Sequence, residues 1–419
     1  MQVSLQSKAG RAALVAVSLI AALAYSAVAV ADVLAAYLAG RSSPSALEAA
    51  ARLRPGNAKY HYLLGRYRWL VQQAPDEASQ SYLAATRLNP YAARYWLELA
   101  ATYQWLGKED AEIDAVNRAI RVDPRTPNVA WDAANYLLIH GDIDRALQEY
   151  QIVLAYDPFL YPAALQAVWR IKPDADFLLQ KVVPPNAEVY SFFLGLLESK
   201  NETAAAARVW DRLQQLRQPV PSRIVFGYVA YLVNQRDADQ ATRVWQQATA
   251  LCSLGAYQPS AENLVVNGDF SQEVLNGGFD WHYDKRNDVD LALDPVHVQA
   301  GRRSLLMDFN SHGLKDAGVW HLIAVRPNTN YKFSANFKAD GIEGVGGPRV
   351  TLQDQFTNET YFASDYIADV DHFNPIDGEF TTGPDAKLLV LRVQRDPAGS
   401  PIKGKLWLDG VRLVESFKH

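Results

Sequence analysis

A proline that follows a polar residue or an arginine recurs along the first half of the chain at a nearly fixed interval. Successive sites lie 34 residues apart, except that the first interval is 35 residues. The sites are Arg54-Pro55, Asn89-Pro90, Asp123-Pro124 and Asp157-Pro158. Proline lacks an N–H and disfavours helical geometry in the residue before it, so each site predicts the end of a helix. A period of this length predicts stacked helical units that form a solenoid.

Small and aromatic residues recur at fixed positions between these prolines. The spacings are Trp96, Leu99, Ala100 and Tyr103, then Ala78 with Tyr82, Ala146 with Tyr150, Ala206 with Trp210 and Ala241 with Trp245. The pattern resembles tetratricopeptide repeats, closely over residues 56–158 and more weakly over 186–252. The resemblance implies two antiparallel helices per unit, with small residues where the helices cross and large residues in the adjacent groove. Residues 159–185 break the period and predict a shortened, irregular unit.

The many aromatic residues of the repeats have helical spacing, which favours packing between units over a ligand platform. A solenoid of this kind presents a concave face that suits a peptide or a partner helix. We therefore expect a protein partner on the concave face, although the sequence does not indicate which side chains would contact it.

The N-terminal segment is apolar enough to enter a membrane. Residues 12–31 carry no charge, Lys8 and Arg11 precede them, and Asp32 follows. Twenty residues at about 1.5 Å each match the hydrocarbon core of a bilayer, and the basic start predicts a cytoplasmic N-terminus. This favours a retained transmembrane anchor. The alternative is a signal peptide cleaved after Ala29-Val30-Ala31, and both interpretations place residues 41–419 outside the bacterial inner membrane, in the periplasm or beyond.

The pattern changes near residues 253–262, after which short alternating stretches and glycine-rich turns replace the helical period. The predicted strands are residues 304–309, 331–337, 350–353, 387–393 and 405–409. Many short strands over about 150 residues predict an all-β sandwich.

Five ordered elements of this region resemble the jelly-roll carbohydrate-binding modules of the galactose-binding-like superfamily. They are residues 263–270 (NLVVNGDF), 277–281 (GGFDW), 301–305 (GRRSL), 325–331 (VRPNTNY) and 406–413 (LWLDGVRL). The resemblance implies a jelly-roll fold. These elements are mainly structural, so they do not by themselves imply that sugar is bound.

Sugar binding in such modules uses exposed aromatic rings and nearby polar groups. The aromatic candidates are Trp281, Tyr283, Trp320, Tyr361, Phe362 and Tyr366. Candidate polar partners are Gln353, Gln355 and Asn358. The alternative for each aromatic residue is the core, especially for Trp281, which matches a core position of the modules that it resembles.

The resemblance also implies a structural calcium ion between the first and last strands, with Asp409 as one ligand. Ser271 stands where an acidic ligand is expected, and Asp269 or Glu273 are possible replacements. Oxygen ligands in flexible geometry suit calcium. The alternative is that these carboxylates are solvated or cap backbone amides.

Composition and motifs exclude several functions. The net charge of −5 argues against binding nucleic acid through phosphate contacts, and the lone Cys252 rules out an intramolecular disulfide or a thiol redox pair. The sequence lacks H-E-x-x-H, G-x-S-x-G and a phosphate-binding loop.

The sequence therefore predicts a multidomain, non-enzymatic scaffold of the bacterial envelope. Its expected parts are an anchor or signal segment (1–40), a tetratricopeptide-like solenoid (41–255) and a β-sandwich (262–419). The solenoid would bind a protein and the sandwich a polysaccharide, in exopolysaccharide assembly or export. The alternative is a protein–protein adaptor whose sandwich binds no sugar and serves as an interaction or capping domain.

Overall fold

The computed structural model describes residues 8–41 and 43–416, apart from the side chains of Ala250 and Ser311. The chain forms two compact units that divide between Pro185 and Asn186. The first unit is helical in its described residues, and the second combines helices with an antiparallel β-sandwich. The predicted fold class is confirmed, since an apolar N-terminal helix, a solenoid-like helical region and a C-terminal sandwich are all present. The boundaries at 41–255 and 262–419 stay a prediction.

The first helix, α1 (Lys8–Gly40), is continuous over 33 residues. It is long and apolar enough to cross a membrane, a criterion that a signal sequence near an N-terminus also meets. Its uncharged segment 12–31 alone would extend about 30 Å. Residues beyond this segment pack against the next helix.

Helices of similar length follow in antiparallel pairs through the first unit. They are α2 (Pro44–Leu53), α3 (Ala58–Leu70), α4 (Pro75–Leu88), α5 (Ala93–Trp105), α6 (Glu109–Val122), α7 (Pro127–Ile139), α8 (Ile143–Tyr156), α9 (Tyr161–Ile171) and α10 (Ala175–Lys181). The predicted stops are present, because Asn89, Asp123 and Asp157 leave helical geometry immediately before a proline, with ψ between 79° and 94°. The short α9 and α10 occupy the segment where the period breaks.

Small and large residues meet inside each hairpin as the repeat pattern predicts. Ala78, Tyr82, Ala146 and Tyr150 are all buried. Gly65 of α3 lies against the ring of Tyr82, so closely that an added Cβ would come within 2.7 Å of Cδ1. The contact lets two helices cross at short range, and a side chain at position 65 would hold them apart.

The second unit opens with four helices of the same kind. They are α11 (Ala187–Ser199), α12 (Thr203–Leu216), α13 (Ser222–Asn234) and α14 (Ala238–Gln247). Trp210 and Trp245, which repeat at 35 residues, are both fully buried. The indole N–H of Trp210 donates to Gln247 Oε1 at 2.8 Å, and that of Trp245 donates to the Tyr257 carbonyl at 2.9 Å. Each large ring therefore packs without leaving its polar atom unpaired.

Two five-stranded antiparallel sheets form the sandwich. The strands are β1 (Trp281–Tyr283), β2 (Val289–Asp294), β3 (Ser304–Gly313), β4 (Asp316–Ala324), β5 (Asn330–Glu343), β6 (Gly347–Asp354), β7 (Thr360–Ala363), β8 (Val370–Thr381), β9 (Leu388–Asp396) and β10 (Pro401–Glu415). Sheet 1 has the order β1-β4-β9-β6-β7, and sheet 2 the order β2-β3-β10-β5-β8. Alternate residues of both sheets form one core, which includes Phe333, Leu391 and Leu408.

One end of the outer face of sheet 1 is apolar and buried as well. Leu322, Leu388 and Val390 point away from the sandwich core yet are buried. Trp245 of α14 lies against the backbone of Gly278 and 6.0 Å from the ring of Phe279. The sandwich therefore packs against the last helical hairpin of its own unit.

The Gly65 contact predicts a substitution with opposite effects at two helix glycines. Gly65→Ala should lower the stability of the helical region by about 1–2 kcal/mol, because overpacking against the immobile Tyr82 ring outweighs the gain in helix propensity. Gly195→Ala, whose added Cβ meets nothing within 4 Å, should raise stability by about 1 kcal/mol. Thermal melts followed by helical circular dichroism compare the two. A Gly65→Ala protein as stable as wild type would contradict the packing argument.

Candidate functional sites

The open part of the outer face of sheet 1 carries a row of polar and aromatic side chains. Strand alternation puts Val319, Leu352 and Leu391 in the core, so the residues between them point outward. The outward residues are Trp320 of β4, Arg349, Thr351 and Gln353 of β6, and Arg392 and Gln394 of β9. We call these six residues, together with Tyr366 beside them, the sheet-1 face.

A stacked pair of rings marks one side of the sheet-1 face. The rings of Trp320 and His282 are nearly parallel, at 10°, with centroids 3.7 Å apart. The His282 Nε2 atom lies 2.9 Å from the Gly278 carbonyl, and burial lowers the pKa of His282. Arg392 lies directly across from Trp320 on the neighbouring strand. An indole held rigidly beside a guanidinium is the result.

Amide groups occupy the middle of the sheet-1 face. Gln394 Nε2 donates to Gln353 Oε1 at 3.1 Å, and Gln353 Nε2 donates to Thr360 Oγ1 at 2.9 Å. The hydroxyl of Thr351 lies buried between their strands, without a hydrogen-bond partner in the described part of the chain. The centre of the face thus offers both donors and acceptors for hydroxyl groups.

Tyr366 supplies a second ring at the far side of the sheet-1 face. It is 52% exposed, and its hydroxyl donates to Asp396 Oδ2 at 3.1 Å. Arg349 donates to the same oxygen at 3.2 Å, and its guanidinium carbon lies 5.5 Å from the Tyr366 ring centroid. Both contacts hold the ring in place while leaving much of it open to solvent.

Three of the predicted sugar-contacting aromatic residues lie in or against packed structure. Trp281 is only 1% exposed and donates from its indole N–H to the Asn267 carbonyl, so its place is the core and not a binding surface. Phe362 packs 5.0 Å from Phe333, and the Tyr361 ring lies 6.0 Å from Phe380. Their intermediate exposure comes from the edge of the sandwich.

Tyr283 lies at a different place, in an apolar cleft between the β1 and β2 edges of the two sheets. The cleft has a volume of about 230 Å³, and its lining includes Leu291, Leu293 and Val274. Of the six predicted aromatic residues, the structure therefore brings only Trp320 and Tyr366 to one face.

Sequence reasoning missed three residues of the sheet-1 face, namely Arg349, Arg392 and Gln394. Each alternates with a buried apolar residue, in the stretches R-V-T-L-Q of β6 and L-R-V-Q of β9. Polar residues at every second position of adjacent central strands are the signal that could have found them. Gln353, proposed as a polar partner, does lie on the face.

The surroundings of Asp409 do not fit a calcium ion. Asp409 Oδ2 accepts the backbone N–H groups of Gln299 and Ala300, each at 2.7 Å, and Oδ1 accepts that of Gly410 at 2.7 Å. Burial raises the pKa of Asp409, and these amide bonds oppose the increase. N–H donors thus surround the carboxylate where calcium would need about six to eight oxygen ligands.

The possible replacement ligands are also engaged by other groups. The Ser271 hydroxyl donates to Asp269 Oδ2 at 2.7 Å, and Arg303 pairs with Glu273 at 2.7 Å. Among the described residues, no three His, Cys, Asp or Glu side chains converge in a way that could hold a metal ion. The capping alternative raised for these carboxylates therefore describes Asp409 better.

A second candidate site is a groove between α5 and α7, the first helices of two consecutive repeats. The groove has a volume of about 360 Å³. Its lining residues are Arg94, Leu97, Glu98, Ala101, Gln104, Asn128, Val129, Asp132, Asn135, Tyr136 and Ile139. We call it the α5–α7 groove. It combines an apolar floor with charged and amide groups, which is the chemistry of a peptide-binding surface.

The charged groups of the α5–α7 groove are only partly neutralised within it. Arg94 donates from Nε to the Tyr62 hydroxyl at 3.1 Å and pairs with Glu98 at 3.4 Å. Burial raises the pKa of Asp132, an effect that Arg94 lessens and Glu98 increases. Two carboxylates facing one guanidinium leave the groove slightly acidic.

Comparisons with known proteins agree with this two-part description. No protein-family profile matches the chain, and none of the curated proteins matches it. Among solved structures, "CBM4 structure and function" matches with 15% identity and a TM-score of 0.29, covering 36% of this chain and 99% of that one. "Crystal structure of YrrB: a TPR protein with an unusual peptide-binding site" matches with 15% identity and a TM-score of 0.27, covering 45% and 84%.

A third match, "Functional Characterization of Pseudomonas Aeruginosa pilF", has 15% identity and a TM-score of 0.27, and covers 54% of this chain and 92% of that one. The helical repeats resemble tetratricopeptide proteins, and the sandwich resembles a jelly-roll carbohydrate-binding module. Both resemblances predicted from the sequence are confirmed as likenesses of fold.

The amide cage around Asp409 predicts a large structural effect without metal dependence. Asp409→Ala should lower sandwich stability by about 3 kcal/mol, because three buried N–H groups lose their acceptor. The exposed Glu273→Ala serves as the control and should stay within about 0.5 kcal/mol of wild type. Adding EGTA should leave the thermal midpoint of the wild-type protein unchanged. A midpoint that falls with EGTA and recovers with calcium would show that the cage holds the ion after all.

Proposed function

We propose that the chain is a non-enzymatic, membrane-tethered scaffold of the bacterial cell envelope. Its repeats bind a protein partner through the α5–α7 groove, and its sandwich binds a glycan through the sheet-1 face. The observation that carries the glycan half is the rigid Trp320–His282 stack beside Arg392 and the amides of Gln353 and Gln394.

The chemistry of the sheet-1 face matches what a sugar ring requires. An aromatic ring packs against the apolar C–H face of a pyranose, and amide or guanidinium groups bond its hydroxyls. Trp320 and Tyr366 supply rings on two sides, with Arg349, Gln394 and Gln353 between them. Their mutual hydrogen bonds fix these side chains before a ligand arrives, which lowers the entropy lost on binding.

The same face supports binding over cleavage. Glycoside hydrolysis uses a pair of carboxyl groups that flank the scissile bond. The six strand residues that define the sheet-1 face are arginine, amide, hydroxyl and indole side chains instead. Asp396, at its margin, accepts hydrogen bonds from both Tyr366 and Arg349, so its charge is used in positioning them.

Residues 12–31 of α1 supply the tether in this proposal, as a single pass through the inner membrane that leaves the rest of the chain in the periplasm. The alternative is cleavage after Ala31 and a soluble periplasmic protein. A protein-binding solenoid joined to a glycan-binding module suits the assembly or export of an exopolysaccharide, and we propose that setting by analogy of architecture.

A second candidate function is a protein–protein adaptor whose sandwich binds no sugar. The contact of Trp245 with Gly278 and Phe279 favours it, because that part of the sandwich covers an apolar surface of the last hairpin. A domain retained to cap the repeats needs no ligand of its own.

Glycan binding is tested by affinity electrophoresis of the full chain in gels that contain polysaccharides of the producing cell. Trp320→Ala should weaken the interaction about tenfold, since one stacked ring contributes roughly 1–2 kcal/mol. Tyr283→Ala is the matched control, an exposed aromatic residue outside the face, and should migrate like wild type. If no polysaccharide retards the wild-type protein, the glycan half fails and the adaptor function stands.

The protein-binding half is tested by photocrosslinking in the producing cell. A benzoylphenylalanine in place of Ile139, which lines the α5–α7 groove, should give one discrete protein adduct. The same group in place of Ile143, an exposed isoleucine outside the groove, is the control and should give none. Asp132→Lys should abolish the adduct at position 139 by reversing the charge of the groove. Equal adducts at both positions, or an adduct that survives Asp132→Lys, would contradict a specific groove partner.

A further inference from the structure

The last turns of α1 belong to the packed structure of the first unit. Ala35 is fully buried in a cluster with Ala50, Ala51 and Tyr60. The Asp32 carboxylate pairs with Arg54, Oδ1 to Nε, at 2.7 Å. Because Arg54 directly follows α2, this ion pair puts Asp32 level with the end of α2. The uncharged segment 12–31 therefore begins about 1.5 Å beyond that level.

Antiparallel packing puts one set of loops on the side from which this segment projects. Neighbouring helices alternate in direction, so the loops after α2, α4, α6 and α8 share one edge of the repeats. α1 runs opposite to α2, and its apolar part leaves the unit at this same edge. The loops after α3, α5 and α7 lie at the opposite edge.

Exposed aromatic, aliphatic and basic side chains are present together at the edge next to α1. Its exposed large apolar residues are Leu53, Leu88, Tyr91, Tyr156 and Phe159. Its exposed arginines are Arg52, Arg87, Arg121 and Arg125. Tyr91 is 82% exposed and Phe159 is 95% exposed. We call these nine residues the basic edge.

The charges of the two edges are segregated beyond what helix dipoles require. Helices α3, α5 and α7 begin at the basic edge, where a dipole favours acidic residues, yet none has one in its first turn. Acidic residues collect at the opposite edge, at Asp76, Glu77, Glu109, Asp110, Asp142 and Asp144. Preference for helix ends explains the acidic edge but not the absence of acids from the basic one.

We propose that the basic edge lies on the anionic lipid headgroups of the membrane that holds α1. This inference rests on the proposed tether. Arginine pairs with lipid phosphates, and tyrosine and phenylalanine enter the interface between headgroups and acyl chains. The position of Asp32 brings the loops to that depth, and the basic charge selects an anionic surface. The acidic edge faces away from the membrane, which repels it.

This contact fixes the orientation of the repeats on the membrane. A single helix would let the unit swing about the tether, whereas a second contact along the loops holds the repeat helices upright. The α5–α7 groove, whose helices begin at the basic edge, then opens sideways just above the lipid surface. A partner bound there would lie close to the membrane, as a membrane protein does.

The test uses the full chain in vesicles, in a Cys252→Ser background with one new cysteine carrying an environment-sensitive fluorophore. Tyr91→Cys and Phe159→Cys report on the basic edge. Trp105→Cys is the matched control, an aromatic residue that is 74% exposed at the opposite edge. In vesicles of phosphatidylcholine with phosphatidylglycerol, labels at 91 and 159 should shift to shorter wavelength and be quenched by nitroxide lipids. The label at 105 should behave as in water.

Charge reversal and lipid composition test the electrostatic part. Arg87→Glu with Arg125→Glu should shift the equilibrium away from lipid contact by at least about fivefold per arginine, which reduces quenching at 91 and 159. Vesicles of phosphatidylcholine alone should show the same reduction. Equal quenching in both vesicle types, or equal quenching at 91 and 105, would overturn the proposal.

Vesicle flotation after alkaline extraction separates this inference from the tether on which it rests. A protein that does not float with the vesicles would refute the membrane tether itself. A protein that floats, while its labels at 91 and 159 stay in water, would keep the tether and overturn contact of the basic edge with lipid. Unchanged circular dichroism of the labelled variants shows that they remain folded.

Discussion

A helical hairpin of this repeat buries one flank internally and leaves another that only a neighbour can cover. The crossing of Gly65 and Tyr82 shows how close that packing is, since it admits no side chain beyond hydrogen at position 65. The constraint acts again at each end of a repeat array. In the first unit, α1 covers the Ala50 and Ala51 surface of α2. In the second, the Gly278–Phe279 segment of the sandwich contacts Trp245 of the last hairpin. Both flanking elements are therefore parts of the packing as well as attachments.

Local chemistry determines the features that the sequence predicts well. The Asn-Pro and Asp-Pro pairs act on their own backbone, so the ends of α4, α6 and α8 follow from the residues alone. The strand stretches within β3, β5, β6, β9 and β10 follow from alternation. The choice between Trp281 and Trp320 does not, because both are tryptophans in short strands of sheet 1. Register across the sheet turns one ring inward and the other outward, and register depends on pairing with distant residues such as His321 and Arg392.

The sheet-1 face illustrates the same limit for function. Search by residue type finds aromatic rings, and four of the six rings found this way lie in the core, at its edge or in another cleft. The polar members Arg349, Arg392 and Gln394 are unremarkable in sequence and gain meaning only as neighbours on adjacent strands. Asp409 is the converse case. Its position in the chain matches a metal ligand in the modules that it resembles, but three backbone N–H groups use its carboxylate.

The ion pair between Asp32 and Arg54 connects the question of the N-terminus to the fold. Cleavage after Ala31 would remove the lipid-spanning segment but leave Asp32, Ala35 and the buried turns of α1 in place, so the repeats would remain capped. Folding of the first unit therefore does not decide between an anchor and a signal peptide. The basic edge responds differently. Its exposed aromatic residues have an apolar environment to enter only where a membrane is held against them, and a retained α1 provides that membrane within the length of a single helical turn.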